Sequence, residues 1–271
     1  MPINIPGLLV PFQLLFNPRV VLPSVVVKVK NIYTIFAQQD LRHLDFAALR
    51  KAGYRGAVFD KDNCLTRPHK DTVVPEIQEA WDECRSTFGE GNVLIVSNSA
   101  GTWLDPGGIQ CESVTHNTGV PVLRHKSFKP AYSCITTIRG YFSSLRFPIR
   151  DDELIIVGDR IFTDVVMANR MRGSNDSLRS PKKDGGALGK VKNGTEDRPR
   201  GPLAIWTTDV WEKEAMVMRW CEKKLVDVVR HWSHSGGQEL DTSSFVKEFV
   251  EPKPLRTSGM MAGLFGRLRS S

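Results

Sequence analysis

Residues 56–66 read Gly-Ala-Val-Phe-Asp-Lys-Asp-Asn-Cys-Leu-Thr, a short apolar run followed at once by two aspartates. The run is typical of a buried β-strand, so Asp60 and Asp62 follow its carboxyl end. In an α/β sheet, that end of a strand faces the ligand crevice. Two carboxylates this close repel each other unless a proton or a cation offsets their charge. The stretch therefore favours a catalytic pair held with a metal ion, and a solvated turn rich in Asp and Asn is the alternative.

Short apolar runs alternate with segments of helical periodicity along the rest of the chain. We predict strands at residues 55–59, 93–96, 120–123, 154–157 and 203–206. We predict helices at residues 40–51, 75–89, 130–145, 163–171 and 211–232. Continuous apolar runs are typical of strands buried on both faces, and their alternation with helices indicates a mostly parallel sheet. The expected fold is therefore α/β, with a doubly wound, Rossmann-like parallel sheet.

The overall composition restricts the partners and the compartment. The 271 residues carry a net charge of +7 and have a pI of about 9.2. This charge favours phosphorylated substrates, anionic lipid surfaces or nucleic acid, without choosing among them. The five cysteines are widely spaced and odd in number, which argues against a disulfide framework or a structural zinc site and favours a reducing compartment. None of them has an arginine six residues later, so the signature of cysteine-dependent phosphatases is absent.

The first 38 residues form a separate apolar segment. No acidic residue precedes Asp40, and residues 6–16 and 20–29 are mostly apolar, although four prolines fall between residues 6 and 23. A membrane-spanning helix needs about 20 consecutive apolar residues, so we predict none here. Residues 1–38 are instead expected to form a membrane-associating arm at the bilayer interface. Packing of this arm on the domain is a compatible alternative.

Two further segments depart from the alternating pattern of the predicted domain, residues 39–232. Residues 172–200 contain eight basic and four acidic residues and almost no apolar ones, so we expect a disordered basic insertion. We interpret it as a solvated linker, with contact to lipid headgroups or nucleic acid as the alternative. Residues 233–271 form a tail in which apolar side chains between 260 and 268 have helical spacing. This spacing indicates either an amphipathic helix at a membrane surface or a frayed end.

Polar residues follow four of the predicted strands at their carboxyl ends. Along the chain, these groups are Asp60 and Asp62, then 97–99, then 125–130, and finally 158–164. In a doubly wound sheet these four turns lie at one edge, so their side chains can converge. Each group alone is also typical of an ordinary turn or a solvated lysine. Their order and placement together favour a functional site.

These groups resemble the four motifs of the haloacid dehalogenase (HAD) superfamily. The resemblance covers about residues 40–232 and is carried by Asp60-x-Asp62, by a strand ending in Ser97, by a lysine before the next helix, and by Gly158-Asp159-x-x-x-Thr163-Asp164. The run Phe-Asp-Lys-Asp-Asn-Cys-Leu-Thr, with Val-Ser-Asn-Ser and Gly-Asp-Arg-x-x-Thr-Asp, is similar to the mitochondrial phosphatidylglycerophosphate (PGP) phosphatases of fungi and their bacterial relatives. Cys64 stands where many superfamily members have Thr or Val, at a position expected to be structural.

The resemblance implies catalytic and metal-binding roles. Asp60 is implied as the nucleophile that forms an aspartyl-phosphate. Asp62 is implied as the general acid and then as the base that activates water. Mg²⁺ prefers oxygen ligands, and the resemblance implies Asp60, the backbone carbonyl of Asp62 and Asp159. Asp164 is implied to support the metal site, directly or through water.

The resemblance also implies phosphate-binding residues. Ser97, Asn98 and Lys129 would hold the phosphoryl oxygens and stabilise charge in the transition state. Lys126 is the alternative lysine, and we favour Lys129 because it directly precedes the proline that opens the next helix. By position alone, three side chains are candidates for contact with the glycerol headgroup: Arg124, His125 and Arg160.

The spacing of the motifs bears on the size of the substrate. About 30 residues separate Thr66 from Ser97, and about 30 separate Ser99 from Lys129. Each interval must also supply regular elements of the core, so neither leaves room for a large cap domain. An open site suits a phosphate displayed on a protein, a nucleic-acid end or a lipid headgroup. The apolar N-terminal segment and the basic charge favour the lipid.

We therefore expect a Mg²⁺-dependent phosphoric monoester hydrolase. The resemblance implies that it dephosphorylates PGP to phosphatidylglycerol in cardiolipin biosynthesis, as a peripheral protein on the matrix side of the mitochondrial inner membrane. The implied partners are the phospholipid substrate and an anionic membrane surface, with no nucleic acid, and a homo-oligomer is compatible with the sequence. One alternative keeps the fold and acts on a phosphoprotein, a nucleotide or a soluble phosphoester. Another is a non-catalytic Mg²⁺-binding module at a membrane.

Overall fold

A sheet of parallel β-strands lies at the centre of the protein. The computed structural model describes residues 4–27, 40–177, 201–208, 211–213, 216–232 and 243–247. The strands in these ranges are β1 Val25–Val27, β2 Gly56–Phe59, β3 Val93–Ile95, β4 Leu154–Gly158 and β5 Leu203–Thr207. They form one sheet in the order β1-β5-β4-β2-β3, and every neighbouring pair is parallel.

Helices connect the strands and precede the first one. Those in the described ranges are α1 Ile5–Leu8, α2 Val10–Phe16, α3 Phe46–Lys51, α4 Gln78–Phe88, α5 Ile109–Thr118, α6 Tyr132–Ser143, α7 Val166–Ser177 and α8 Met216–Trp232. The short 3-10 turn Pro75–Ile77 leads into α4, with the proline at its first position. Proline suits this position because the first N–H groups of a helix have no intrahelical partner.

Two apolar clusters lie on opposite faces of the sheet. Successive side chains of a strand point to opposite faces, so Ala57 and Phe59 belong to one cluster and Val58 to the other. The first cluster contains buried residues of α3, α4 and α5, and the second contains buried residues of α2, α6, α7 and α8. Helices therefore cover both faces, which confirms the predicted doubly wound, Rossmann-like α/β fold.

The edges of the sheet differ from the prediction. Residues 25–27 were assigned to the N-terminal arm, whereas they form the edge strand β1 beside β5. Residues 120–123 were predicted as a strand, and this is wrong, because they form only one bridge, between Val122 and Ile95. An edge segment has a neighbour on one side only, so its apolar pattern is a weak guide to its pairing.

Several helices also differ from the prediction. The expected helix over 40–51 is split into the 3-10 turn Leu41–His43 and α3. Helix α5 was not predicted, because its residues are mostly polar or β-branched and form no clear apolar stripe. Helix α8 begins at Met216 rather than at 211, and α7 extends to Ser177, so the start of the predicted insertion 172–200 is helical. Residues 178–200 lie outside the described residues.

Parts of both terminal segments pack on the domain. In the predicted arm, residues 1–38, β1 joins the sheet, and residues 28–39 lie outside the described residues. In the predicted tail, residues 233–271, Val246 bridges to Leu44, and the expected amphipathic helix lies outside the described residues. Among the helices that the structure describes, none is long and apolar enough to span a bilayer.

Short connections surround the carboxyl ends of the strands. After β2, Thr66 bridges to both Asp62 and Val73, which closes a small flap. Over the continuous stretch 40–177, the helices and turns leave no inserted cap domain, as predicted. Within residues 40–177, the end of the sheet that carries the polar motifs is therefore covered by loops and short turns rather than by a domain.

Candidate active site

Three aspartates from two strand ends form an acidic group. Asp60 follows β2, Asp159 follows β4, and Asp164 lies in the wide π-helical turn Ile161–Val165 before α7. Each offers a carboxylate oxygen, and these oxygens all lie within 4.8 Å of one another. Gly158 permits this approach, because a Cβ atom there would collide with the carboxyl group of Asp164. The structure thus brings these three predicted residues together.

Lys129 joins two of the aspartates. Its buried Nζ lies 2.7 Å from Oδ1 of Asp60 and 2.7 Å from Oδ1 of Asp164. Lys126 is exposed, so of the two candidate lysines it is Lys129 that contacts the acidic group. The side chain of Asn98 accepts the backbone N–H of Lys129 at 2.6 Å. Asn98 therefore holds the loop that carries the lysine.

The three carboxylates differ in their other partners. Oδ2 of Asp164 accepts the hydroxyl of Thr163 at 3.0 Å and the N–H of Arg160 at 3.3 Å. Oδ2 of Asp159 is paired with Arg219, whereas its Oδ1 is buried without a hydrogen-bond partner. An unsatisfied buried oxygen is costly, and hard divalent cations bind carboxylate oxygens. The residues present therefore fit a divalent cation.

Burial and mutual repulsion shape the charge of the acidic group. The pKa of Asp60 is raised to about 8, mainly because burial removes water from the carboxylate. Lys129 opposes this shift, while Asp164 and Asp159 add to it. Burial also raises the pKa of Asp159, against the attraction of Arg219. Burial alone would lower the pKa of Lys129, but its contacts with Asp164 and Asp60 outweigh burial and raise it. In their ionised forms the three carboxylates outnumber the two cations, Lys129 and Arg219, so a bound metal ion would stabilise the ionised forms.

Asp62 lies beside the acidic group. Its Oδ1 accepts Nζ of Lys61 at 2.6 Å and the backbone N–H of His69 at 3.1 Å, and its Oδ2 accepts the hydroxyl of Ser99 at 3.0 Å. Its side chain is 31% exposed, against 11% for Asp60. The predicted metal contact of Asp62 runs through its backbone carbonyl. Its side chain is thus the more accessible of the two to a molecule in the site.

Hydroxyl groups connect Ser97 to Asp62. Oγ of Ser97 lies 2.9 Å from Oγ of Ser99, which in turn donates to Asp62. Ser97 is buried, and its Oγ also accepts the backbone N–H of Ser99 at 3.0 Å. The second strand end thus supplies a turn whose hydroxyls face the general-acid candidate.

The three candidates for contact with the glycerol headgroup differ in burial and in their partners. His125 is buried, and its two ring nitrogens lie 2.6 and 2.9 Å from backbone carbonyl oxygens, so it holds the loops together. Arg124 is exposed and Arg160 is partly buried, and each pairs with a glutamate, at 3.1 and 3.6 Å. Contact of any of the three with the headgroup stays a prediction.

Arg219 in α8 is a residue of the site that the sequence analysis missed. It is buried and pairs with Asp159. No motif marks it, because α8 carries several basic residues. The only signal is spacing: Arg219 and Glu222 share a helix face with the apolar Val226 and Val229, and charged residues on an apolar face need a partner.

A separate cavity lies at the opposite edge of the sheet. Its volume is about 740 Å³, and its lining includes Arg85, Glu90 and Val93, at the start of β3. The acidic group lies at the other ends of the strands. We assign the chemistry to the acidic group, because it brings together the buried carboxylates and the lysine.

Comparison with known proteins identifies the family. Residues 5–180 match a family model described as mitochondrial PGP phosphatase. A mitochondrial phosphatidylglycerophosphatase of Saccharomyces cerevisiae is 36% identical over 168 residues, which cover 62% of this chain and 83% of that protein. A probable mitochondrial phosphatidylglycerophosphatase of Schizosaccharomyces pombe is 32% identical over 177 residues, or 63% of this chain and 80% of that protein. The chloroplastic PGP phosphatase 1 of Chlamydomonas reinhardtii is 40% identical over 135 residues, or 49% of this chain and 48% of that protein.

These matches confirm the resemblance inferred from the motifs. The chain spans most of the length of the two fungal relatives and about half of the algal one. None of the solved structures compared with the chain matches it. The matched range, residues 5–180, is more than half of the chain and includes every predicted site residue from Asp60 to Asp164. The chain therefore belongs to the mitochondrial PGP phosphatase family.

Proposed function

We propose that this protein is a Mg²⁺-dependent phosphatase that converts PGP to phosphatidylglycerol in cardiolipin biosynthesis. The observation that carries the proposal is the convergence of Asp60, Asp159, Asp164 and Lys129 at the carboxyl edge of the sheet. The names of the relatives support the substrate, because each is a phosphatidylglycerophosphatase or PGP phosphatase.

In the proposed mechanism, two aspartates divide attack from proton transfer. A carboxylate oxygen of Asp60 attacks the phosphorus, and the bond between phosphorus and the glycerol oxygen breaks. Asp62, in its protonated form, gives its proton to that leaving oxygen. Asp62 then takes a proton from a water molecule that attacks the aspartyl-phosphate, which releases inorganic phosphate and restores Asp60.

Lys129, Ser97 and Asn98 are the proposed phosphate-binding residues. Lys129 supplies a fixed positive charge beside Asp60, where negative charge develops on the phosphoryl oxygens. The hydroxyl of Ser97 would turn from Ser99 toward the phosphate. Asn98 contributes by holding the backbone of Lys129. These residues bind and orient the phosphoryl group.

A bound divalent cation reverses the sign of the net charge at the acidic group. The proposed Mg²⁺ ligands are Asp60, the backbone carbonyl of Asp62, Asp159 and Asp164. When bound, Mg²⁺ supplies charge neutralisation for the carboxylates and the phosphoryl oxygens. Once all three carboxylates are ionised, they face Lys129 and Arg219 with a surplus of one negative charge. A divalent cation turns this surplus into one positive charge, which attracts the phosphate monoester.

We place the membrane-binding surface on the N-terminal helices. The exposed large apolar side chains of α1, α2 and the residue between them are Ile5, Leu8, Leu9, Phe12, Leu15 and Phe16. A contiguous exposed apolar surface usually has a partner, and a lipid substrate makes the bilayer the natural one. The side-chain amide of Asn4 donates to the carbonyl oxygen of Lys129 at 2.9 Å, so these helices are joined to the catalytic loop. The absence of acidic residues before Asp40 suits an anionic bilayer.

The proposed location is the matrix side of the mitochondrial inner membrane, as a peripheral protein. The mitochondrial names of the fungal relatives support the organelle. The exposed apolar helices and the net charge of +7 support attachment to an anionic membrane surface.

Phosphate release from PGP tests the activity. The wild type should release phosphate from PGP in mixed micelles with Mg²⁺. This release should stop when EDTA is added. Asp60→Asn should slow release by about 10³-fold or more, because the nucleophile is lost. Asp82→Asn changes an exposed carboxylate on α4 and serves as the matched control. Unchanged turnover in Asp60→Asn refutes the nucleophile, and faster turnover of a nucleotide or a phosphopeptide than of PGP refutes the proposed substrate.

Vesicle sedimentation tests the membrane surface. Deletion of residues 1–38 would also remove β1, so we choose substitutions of Leu15 and Phe16, which are 78% and 90% exposed. The double variant Leu15→Asp, Phe16→Asp should lose binding to anionic vesicles and keep turnover of a soluble aryl phosphate. Phe147→Asp is the control, because Phe147 is 67% exposed in the loop before β4, at the opposite edge of the sheet. Full sedimentation of the double variant contradicts the proposal.

A further inference from the structure

Helix α8 reaches the acidic group with two buried charged side chains. Arg219 is 8% exposed and Glu222 is 1% exposed, and they lie one turn apart. Both lie beyond residues 5–180, the range that matches the family model. A buried charge is destabilising unless it has well-placed partners. The partners of these two residues therefore indicate why α8 carries them.

Arg219 holds Asp159 at two points. One terminal nitrogen pairs with Oδ2 of the carboxylate, and the other donates to the backbone carbonyl of the same residue at 3.3 Å. The indole N–H of Trp206 donates to the same carbonyl at 3.1 Å. A guanidinium group is planar, so its two donors keep a fixed relation to each other. The carboxylate of Asp159 is therefore fixed relative to its own backbone, with Oδ2 engaged and Oδ1 left without a partner.

Glu222 holds the turn that follows. Its Oε1 accepts the backbone N–H of Phe162 at 3.3 Å and lies 3.6 Å from Nε of Arg160. Both residues lie between Asp159 and Asp164, in the turn that carries the second carboxylate. Helix α8 thus supports this turn at its start and at its middle.

We propose that Arg219 is a positioning residue that turns the carboxylate of Asp159 so that Oδ1 faces the divalent cation. Helix α8 is then part of the active site, in addition to covering the sheet. The inference rests on the proposed function for the presence of the cation. Groups that orient a metal ligand typically change metal affinity by about 10–100-fold when they are removed.

An electrostatic role and a positioning role predict opposite changes in metal affinity when Arg219 is replaced. If Arg219 acts only as a nearby cation, its removal strengthens metal binding, because one repulsive charge disappears. If Arg219 positions Asp159, its removal weakens binding, because the carboxylate rotates away from the cation. Arg219→Lys separates the two, because it keeps the charge and loses the planar fork. The sign of the change in affinity therefore identifies the role.

Manganese binding to the full chain is the test. Mn²⁺ is the probe, and its binding is followed by the loss of the free-ion signal in electron paramagnetic resonance. We expect Arg219→Gln to raise the Kd for Mn²⁺ by about 10–100-fold and Arg219→Lys to raise it by about 10-fold. Arg230→Gln and Arg230→Lys make the same changes at an exposed arginine of α8 and should leave the Kd unchanged. At saturating metal, the Arg219 variants should recover most of kcat, with KM for PGP unchanged.

Each outcome of the manganese-binding experiment supports or overturns a stated part of the proposal. Tighter Mn²⁺ binding in Arg219→Gln overturns the proposal, and so does a wild-type Kd in Arg219→Lys. If Arg219→Gln does not fold, Arg219→Lys still tests the proposal, since it keeps the buried charge pair. A wild type that binds no Mn²⁺ overturns this inference together with the metal of the proposed function. Mn²⁺ binding with no PGP turnover overturns the proposed substrate and leaves Arg219 to be judged by its own Kd.

Discussion

Replacing the nucleophile should stabilise the metal-free protein. The pKa of Asp60 is raised from 3.8 to about 8, mainly by burial, with Asp164 and Asp159 adding repulsion against Lys129. The folded pKa lies above the unfolded one. The contribution of Asp60 to the free energy of unfolding is therefore fully present below about pH 4 and is lost as the pH rises through about 8. Asp60→Asn removes the ionisable group and with it this loss. The variant should therefore be more stable than the wild type near neutral pH in EDTA.

The pKa shift sets the size of the effect. The pH of 7 lies roughly 3 units above the unfolded pKa of Asp60 and still below its folded pKa, and each unit is worth about 1.4 kcal/mol. The penalty at pH 7 is thus about 4 kcal/mol. The amide of an asparagine still needs hydrogen-bond partners in the buried site, which reduces the expected net gain to about 2 kcal/mol. At pH 5, roughly 1 unit above the unfolded pKa, most of the wild-type penalty is absent, so the gain in Asp60→Asn should fall to nearly zero.

Urea denaturation in EDTA at pH 5, 7 and 8 measures the gain. Asp82→Asn, an exposed carboxylate, is the control and should show no pH-dependent gain. A saturating divalent cation should reverse the order, because a ligand that binds only the folded state stabilises it and the variant has lost one carboxylate ligand. Lower stability of Asp60→Asn than of the wild type at pH 7 in EDTA would refute the reasoning, as would a gain of equal size at pH 5.

Two further substitutions test the geometry of the site. Gly158→Ala should lower phosphate release by about 10²-fold or more and cost about 2 kcal/mol or more in urea denaturation, because the added Cβ collides with Asp164. Gly140→Ala in α6 meets no atom within 4 Å and should stabilise the protein by about 0.5–1 kcal/mol; equal effects of the two would contradict this assignment. Lys129→Met should reduce kcat for PGP by about 10²–10³-fold, while Lys126→Met at the exposed lysine should leave kcat unchanged. A comparable loss of kcat in both lysine variants would argue against the role of Lys129.

The local sequence determined the core of the fold and the main site residues. The apolar runs that become β2, β3, β4 and β5 are short and buried on both faces, so the local sequence is enough to predict them as strands. The polar groups at their carboxyl ends could be placed at one edge because parallel strands share a direction. This reasoning brought Asp60, Lys129, Asp159 and Asp164 together before any distance was known. Membership of a PGP phosphatase family followed from the same motifs.

The weaker local patterns misled the prediction. Residues 120–123 are apolar and were expected as a strand, but only one bridge joins them to β3. Residues 25–27 are apolar too, and β5 pairs with them although prolines precede them. Helix α5 lacks an apolar stripe and is stabilised by the contacts of Cys111 and Val114 with the core. In these places, packing against distant segments decided the local structure.

Only the tertiary structure shows how the residues around the acidic group are arranged. Asn98 was predicted to bind phosphate, a role that stays a proposal, and the structure shows its amide holding the backbone of Lys129. Asp62 lies beside the carboxylates rather than among them. Arg219 comes from α8, far along the chain from Asp159, and its place on the apolar face of that helix shows that it needs a partner but not which one. A buried ion pair forms only where two distant segments approach in the correct orientation, and a local sequence pattern does not contain that information.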